Sequence, residues 1–348
     1  MKGNDAMQYQ GIKITVITGF LGAGKTTAIQ YMLSQVPQGE TWAVLVNEFG
    51  DVGIDACLVR GENVQIKQVP GGCLCCTTSA AFSAGLNELI KLANPDRILI
   101  EPTGIGHPDQ IVKQLQAPYY HGVLEIGASC CLVDARNLSN PRYLGHPAFF
   151  DQINMADVLI ATKQDTYDEF DETRFVDFAK QFEPAKAVIG FSQHGVVDMT
   201  WLDAKPIHLH SSEPHSHHDH DHDHDHDHDH DHDHQANNAL TSQPLLGVTC
   251  FQKCDRELNS LGWVMDDSYV FDRATLEKLS HFLRAESGFW RAKGLFKTSD
   301  NESIQLNVTV TEDTILTSEV YKGSRFECLF DTGVVVNSLK KRIHDHLF

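Results

Sequence analysis

From residue 11 to residue 205, short apolar runs alternate with segments of helical period, the pattern of a parallel sheet covered by helices. Ile12 to Thr18 predicts the first strand, which runs straight into a glycine-rich turn and a helix from Lys25 to about Gln35. Trp42 to Val46 predicts a second strand, after which Asn47-Glu48-Phe49-Gly50-Asp51-Val52-Gly53 reads as a polar loop. Val64 to Val69 alternates like a short strand, Thr77 to Ala93 has helical spacing, and Arg97 to Glu101 is a buried strand. Ser129–Val133, Val158–Thr162 and Ala187–Phe191 predict the later strands of this unit.

Between Pro206 and Pro244 the pattern collapses. His208 to His234 holds 13 histidines, mostly in strict alternation with aspartate. Such a stretch has no apolar face to bury, so a solvated, disordered linker is predicted. Periodicity resumes at Leu245, with strands near Gly247–Phe251 and Leu261–Val264 and a helix at Arg273–Arg284. Further strands near Phe289–Phe296, Ile304–Val310 and Ser324–Leu329 precede a closing helix at Val334–His346. Residues 245–348 therefore read as a second, smaller α+β unit.

A chain of 348 residues can bury two separate cores. Its 28 basic and 47 acidic side chains leave a formal charge of −19, which argues against nucleic acid or an anionic membrane as a partner. Eight of those acids are the aspartates of Asp219 to Asp233, so the folded parts are less acidic than the total suggests. Met1 to Gln10 lacks the apolar run of a signal peptide, and no segment approaches ~20 uninterrupted apolar residues. A cytoplasmic location is expected. The odd number of cysteines, nine, and the adjacent pairs Cys75-Cys76 and Cys130-Cys131 fit reduced thiols rather than a disulfide framework.

The first turn carries specific chemistry. Gly19-Phe20-Leu21-Gly22-Ala23-Gly24-Lys25-Thr26-Thr27 fits the phosphate-loop pattern G-x-x-x-x-G-K-[ST], between a strand and a helix as the motif requires. Gly19, Gly22 and Gly24 let consecutive amides, Ala23 among them, point at phosphates. Lys25 would reach the β- and γ-phosphates, with Thr26 on Mg²⁺ and Thr27 beside it. Glu101 ends a buried strand where its carboxylate could also hold Mg²⁺, and Gly104 leaves room for an N–H near the γ-phosphate. Thr162-Lys163-Gln164-Asp165 follows the strand after which GTPases place Asn-Lys-x-Asp. There Asp165 would accept from guanine N1–H and the 2-amino group, and the Lys163 stem would pack on the base.

Gly72-Cys73-Leu74-Cys75-Cys76 puts three thiols within four residues. That is too tight for a complete tetrahedral site, and no second Cys-x-x-Cys pair exists to make a zinc ribbon. Cys73, Cys75 and Cys76 therefore read as a transient soft-metal site, with Glu48 or Asp51 as an oxygen ligand. Packing of three small thiols under the sheet is the alternative, and Gly71-Gly72, which implies an exposed turn, weighs against it. Cys130 and Cys131 lie on an apolar strand and are expected in the core, and Cys250 and Cys254 are expected to be structural. In the tract, His217, His218, His220, His222, His224, His226, His228, His230, His232 and His234 form a weak zinc reservoir or capture arm. His107, His121, His194 and His281 are isolated and are expected to be ordinary.

In combination these motifs resemble the CobW-like metallochaperone GTPases, relatives of the UreG and HypB nickel-insertion GTPases. The resemblance rests on Gly19–Thr27, Asn47–Asp55, Gly72–Cys76 and Glu101-Pro102-Thr103-Gly104, and extends to Arg291-Ala292-Lys293-Gly294 in the second unit. Glu101–Pro108 and Gly262–Asp266 are similar to a zinc-binding branch of that family. The resemblance implies an α/β fold: a P-loop NTPase three-layer domain on a parallel sheet, then a smaller α+β C-terminal domain. It also implies a zinc-binding GTPase with GTP, Mg²⁺ and Zn²⁺ as ligands, handing metal to a client protein, with or without self-association. A cobalt or nickel insertase, a non-enzymatic zinc buffer and a small-molecule kinase are the alternatives. GTP turnover is expected to be slow, because the matched motifs contain no catalytic arginine. Thr162 in place of asparagine is the one departure, and it bears on base selectivity.

Overall fold

The computed structural model describes residues 9–49, 64–71, 78–106, 108–207, 246–254, 258–299 and 301–348. Within these, two sheets form. The first contains β1 (Ile12–Thr18), β2 (Trp42–Phe49), β3 (Val64–Gly71), β4 (Arg97–Glu101), β5 (Leu124–Ile126), β6 (Cys130–Asp134), β7 (Val158–Thr162) and β8 (Val188–Phe191). Its order is β3-β2-β4-β1-β6-β7-β8, with β5 pairing the start of β1, and every pairing is parallel. A central parallel strand must be apolar on both faces, because crossover helices cover both. β4, β6 and β7 are buried along their whole length.

One face of this sheet packs Ile17, Val44, Leu132 and Ile160 on α1 (Lys25–Ser34). The opposite face packs Ile14, Val16 and Ile98 on α2 (Thr78–Ala93) and α3 (Pro108–Leu115). After a short α4 (Pro141–Leu144), α5 (Pro147–Met155) and α6 (Asp171–Ala179) extend the cover over β6 and β7. The second sheet is antiparallel: β9 (Val248–Cys254), β10 (Leu258–Met265), β11 (Phe289–Lys297), β12 (Ser303–Thr309), β13 (Asp313–Ser318) and β14 (Ser324–Asp331), in the order β13-β12-β11-β14-β10-β9. One of its faces rests on α7 (Arg273–Ala285) and α8 (Val336–Leu347) through Leu276, Leu279, Leu339 and Ile343.

The fold class expected from the sequence is the one observed. The strand expected to stop at Val46 runs to Phe49, because Asn47, Glu48 and Phe49 continue the parallel ladder opposite Val69, Pro70 and Gly71. Backbone pairing thus outlasts the apolar run that marked the strand. Strands β5 and β13 have no clear alternation to mark them, and α3, α5 and α6 are too short for their helical period to stand out in the sequence. Among the described residues, no helix is long and apolar enough to cross a membrane.

Candidate nucleotide site

Because all strands of the first sheet are parallel, their C-terminal ends share one edge, and the motifs gather there. β1 opens into the turn Gly19–Gly24, and α1 begins at Lys25 with Gly24 as a left-handed N-cap (φ 87°). No side chain caps this helix start and its first turn holds no acid, so its amides and positive dipole end suit an anion. The backbone at Gly22 is left-handed as well (φ 77°), and a Cβ there would lie 2.9 Å from the Thr309 methyl of β12. The second sheet therefore lies directly against the phosphate loop.

Lys25 is only 6 % exposed, and its Nζ donates to the Gly19 carbonyl at 2.6 Å and the Phe20 carbonyl at 3.4 Å. Glu101, 3 % exposed at the end of β4, and Thr26 line the same cavity of about 230 Å³. A Cβ on Gly104 would sit 2.9 Å from a Leu21 methyl and 3.3 Å from Lys25 Nζ, so the glycine keeps that backbone close to the ammonium. Gln152 on α5 holds this loop by donating from Nε2 to the carbonyls of Gly104 and Gly106, each at 3.1 Å.

Burial pushes the Lys25 ammonium down to about 8, a shift that Glu101 opposes and the nearby Arg291 charge adds to. Phosphate contact favours the charged form, so nucleotide binding takes up a proton wherever free Lys25 is neutral. Affinity should be full below that pKa and fall as pH rises through it. Between pH 7 and 8.5 the GDP dissociation constant should weaken by ~4-fold. Calorimetry in buffers of different ionisation enthalpy would register the proton uptake, and a pH-independent affinity would refute the assignment.

At the end of β7 the Thr162 hydroxyl donates to the Ala23 carbonyl at 2.8 Å. The departure from asparagine thus keeps a tether between this strand end and the phosphate loop. Lys163 takes a left-handed conformation (φ 60°), and its Nζ pairs with Glu312 and lies 3.4 Å from Asp134. Arg136 grips Asp134 through Nε at 2.9 Å and Nη2 at 2.6 Å, and reaches Glu312 at 3.0 Å. Asp165 stays partly accessible at 29 %, with His194 Nδ1 3.7 Å away. A second, shallower hollow is lined by Thr27, Thr162, Lys163, Asp165, His194, Gly195 and Glu312.

In the sequence His194 is isolated and nothing beside it marks Gly195. A Cβ on Gly195 (φ 79°) would come within 2.7 Å of the Thr27 methyl and 3.0 Å of its carbonyl, so glycine lets this turn close over α1. A glycine four residues beyond the end of β8 was the available signal. Glu312 was missed for a different reason: it comes from the turn between β12 and β13, 149 residues beyond the Lys163 it pairs with. The second sheet also brings Arg291, Lys293, Gln305, Asn307, Thr314 and Leu316 to the phosphate cavity.

Cys73, Cys75, Cys76 and Asp51 and the histidines from His217 to His234 lie outside the described residues, as does the Glu48 side chain. Among the described residues no group of three or more His, Cys, Asp or Glu side chains could hold a metal ion. The backbone does bring the approaches together, since Glu48 pairs with Pro70, and Phe49 with Gly71, at the same sheet edge as the phosphate loop. Cys130 and Cys131 are buried as expected, and burial pushes their thiols up to about 12 and about 11, which keeps them protonated.

A strand running into a glycine-rich turn, a buried lysine at the helix start and a strand-end acid in one cavity define a P-loop nucleotide-binding domain. Residues 13–190 match the model of the CobW/HypB/UreG nucleotide-binding domain, and the chain belongs to that family. The zinc chaperone YeiR of Escherichia coli is 35 % identical over 291 residues, spanning 80 % of this chain and 85 % of that protein. The zinc-regulated GTPase metalloprotein activator 1 of Schizosaccharomyces pombe is 32 % identical over 162 residues, 44 % of this chain and 39 % of its own length. The Zn(II)-bound YjiA GTPase of E. coli aligns over 97 % of this chain and 99 % of its own, at 16 % identity and a TM-score of 0.42.

Proposed function

We propose that this protein is a cytoplasmic zinc-handling GTPase that couples GTP binding and hydrolysis to delivery of metal to a client protein. The observation that carries the reading is convergence at one sheet edge. Lys25, Thr26 and Glu101 meet in one cavity, and β2 and β3, which lead toward Asp51 and Cys73, end beside it. Gly19, Gly22, Ala23, Gly24 and Thr27 form the phosphate cradle in this reading, Gly104 approaches the γ-phosphate, and Lys163 and Asp165 take the guanine. The Thr26 hydroxyl and Glu101 carboxylate are hard oxygen donors that suit Mg²⁺, which when bound would offset the phosphate charge. Residues 11–205 form the nucleotide unit, 206–244 the histidine-rich linker and 245–348 the C-terminal unit. Zinc is cargo, held by Cys73, Cys75 and Cys76 with help from Glu48 or Asp51.

The names of the relatives support zinc, guanine nucleotide and a metalloprotein client as the chemistry. A metal site that moves with the nucleotide-sensing loops binds metal differently in the two nucleotide states, and linkage makes that effect reciprocal. Zinc titrated into a chain lacking residues 216–234 should bind ~5- to 150-fold differently with GDP and with a non-hydrolysable GTP analogue. Cys75→Ser should weaken zinc binding in both states. Equal zinc affinities would sink the gating mechanism, and equal use of ATP and GTP would sink the role given to Asp165.

A further inference from the structure

We propose that Arg291, on the C-terminal sheet, is a catalytic arginine supplied to the γ-phosphate from the second half of the same chain. This rests on the GTPase reading above and adds a residue from outside the nucleotide-binding fold. Along β11, Ala292 and Phe296 point into the C-terminal core. Alternation therefore turns Arg291 and Lys293 to the opposite face, toward the phosphate loop. Register fixes the position closely. Arg291 pairs with Thr309 of β12, and the Thr309 methyl is the atom that a Cβ on Gly22 would strike. Arg291 accordingly lines the same cavity as Lys25, Thr26 and Glu101.

The cavity's other cations are Lys25, Lys163 and Lys293. Lys293 sits across from Glu327 of β14, whose Oε1 accepts from Ser260 at 2.6 Å, so an acid of its own sheet faces it. In the nucleotide unit Arg97 is directed to Thr15 and Asp203, Arg136 to Asp134 and Glu312, and Arg142 to Asp331. Among the described residues Arg291 is the arginine that lines the phosphate cavity. Its influence on the Lys25 ammonium agrees with this: two like charges facing one cavity repel, and a polyphosphate between them would attract both and outweigh that repulsion. The backbone holding Arg291 is fixed by its neighbour Trp290, which packs 5.3 Å from the ring of Phe20 in the phosphate loop.

In hydrolysis the oxygen of water forms a bond to the γ-phosphorus. The bond from that phosphorus to the β–γ bridging oxygen breaks, its electron pair stays on GDP, and the water proton is released with inorganic phosphate. Charge grows on the bridging and γ-oxygens, which is where a guanidinium is most effective. Slow turnover is expected from the sequence because Arg291, although part of the matched Arg291-Ala292-Lys293-Gly294 segment, lies far along the chain from the phosphate loop.

The test compares the full-length protein with Arg291→Ala, Arg291→Lys and Arg325→Ala, a cation on the same sheet face but outside the cavity. Single-turnover GTP hydrolysis should fall ~10²- to 10³-fold in Arg291→Ala. Its GDP affinity should change less than ~3-fold, while its affinity for GTPγS falls ~10-fold further than that for GDP. Arg291→Lys should restore the GTPγS preference but not the rate, because an ammonium lacks the guanidinium fork. Arg325→Ala should keep the wild-type rate. Wild-type hydrolysis in an Arg291→Ala variant whose melting curve is unchanged would overturn the proposal and leave the GTPase reading standing. Failure of the wild-type protein itself to bind GDP or GTPγS would overturn both.

Discussion

Lys25→Ala is expected to lower GTP turnover ~10²- to 10³-fold and to weaken GDP and GTP together. The ammonium is buried and held by two carbonyls of the loop it serves, so its charge is already positioned before any nucleotide arrives. Preorganisation of this kind adds to binding because little is reorganised on contact. Removing the side chain also leaves the Gly19 and Phe20 carbonyls without that donor, and the loop should loosen. Phosphate release and calorimetric titration of GDP separate the two effects. Unchanged release of phosphate would place the nucleotide elsewhere.

Trp290→Ala should destabilise the protein by about 3–5 kcal/mol, the usual range for truncating a buried aromatic. Trp290 is 2 % exposed and packs edge-on to Phe20 and Tyr143 at 5.3 and 5.2 Å. Its indole N–H donates to Asp331 at 2.6 Å, and Arg142 lies 3.8 Å above its ring while donating to Asp331 and to the Phe289 carbonyl. Truncation would open a cavity, leave Asp331 short of a donor and uncover the Arg142 guanidinium at once. Trp290→Phe should recover most of the packing but not the hydrogen bond. Urea denaturation at unchanged slope would measure both, and a loss under ~1 kcal/mol for the alanine variant would contradict the packing argument.

Much of the nucleotide site could be read from local spacing, since a phosphate loop is a strand, a turn and a helix start in one continuous segment. Glu101 and Thr162–Asp165 were legible for a related reason: each ends an apolar run, and parallel topology sends every such end to one edge. Glu312 and Thr309 were not legible, and Arg291 was legible only as part of a family segment, not as a neighbour of the phosphate loop. The alternation of Gln305, Asn307 and Thr309 with Leu306 and Val308 says that β12 has a polar face, but not what that face meets. A solvated face and one laid against a phosphate loop have the same period. The nearness of His194 to Asp165 was not legible, because it follows from the closeness of Gly195 to Thr27, a contact across the fold.

The apolar cluster joining the halves of the chain bears on how the protein can be handled as pieces. Leu258, Trp290 and Leu329 of the second sheet belong to the same buried cluster as Phe20 of the phosphate loop, Tyr143 of α4 and Phe149 of α5. A fragment ending at residue 205 would carry those aromatics bare on its flank, next to the loop meant to hold phosphates. Contiguous apolar surface of this kind drives self-association. The boundary that looks like a natural cutting point in the sequence therefore divides a shared apolar cluster, and a fragment cut there is expected to self-associate unless Phe20 or Phe149 is replaced by a polar residue.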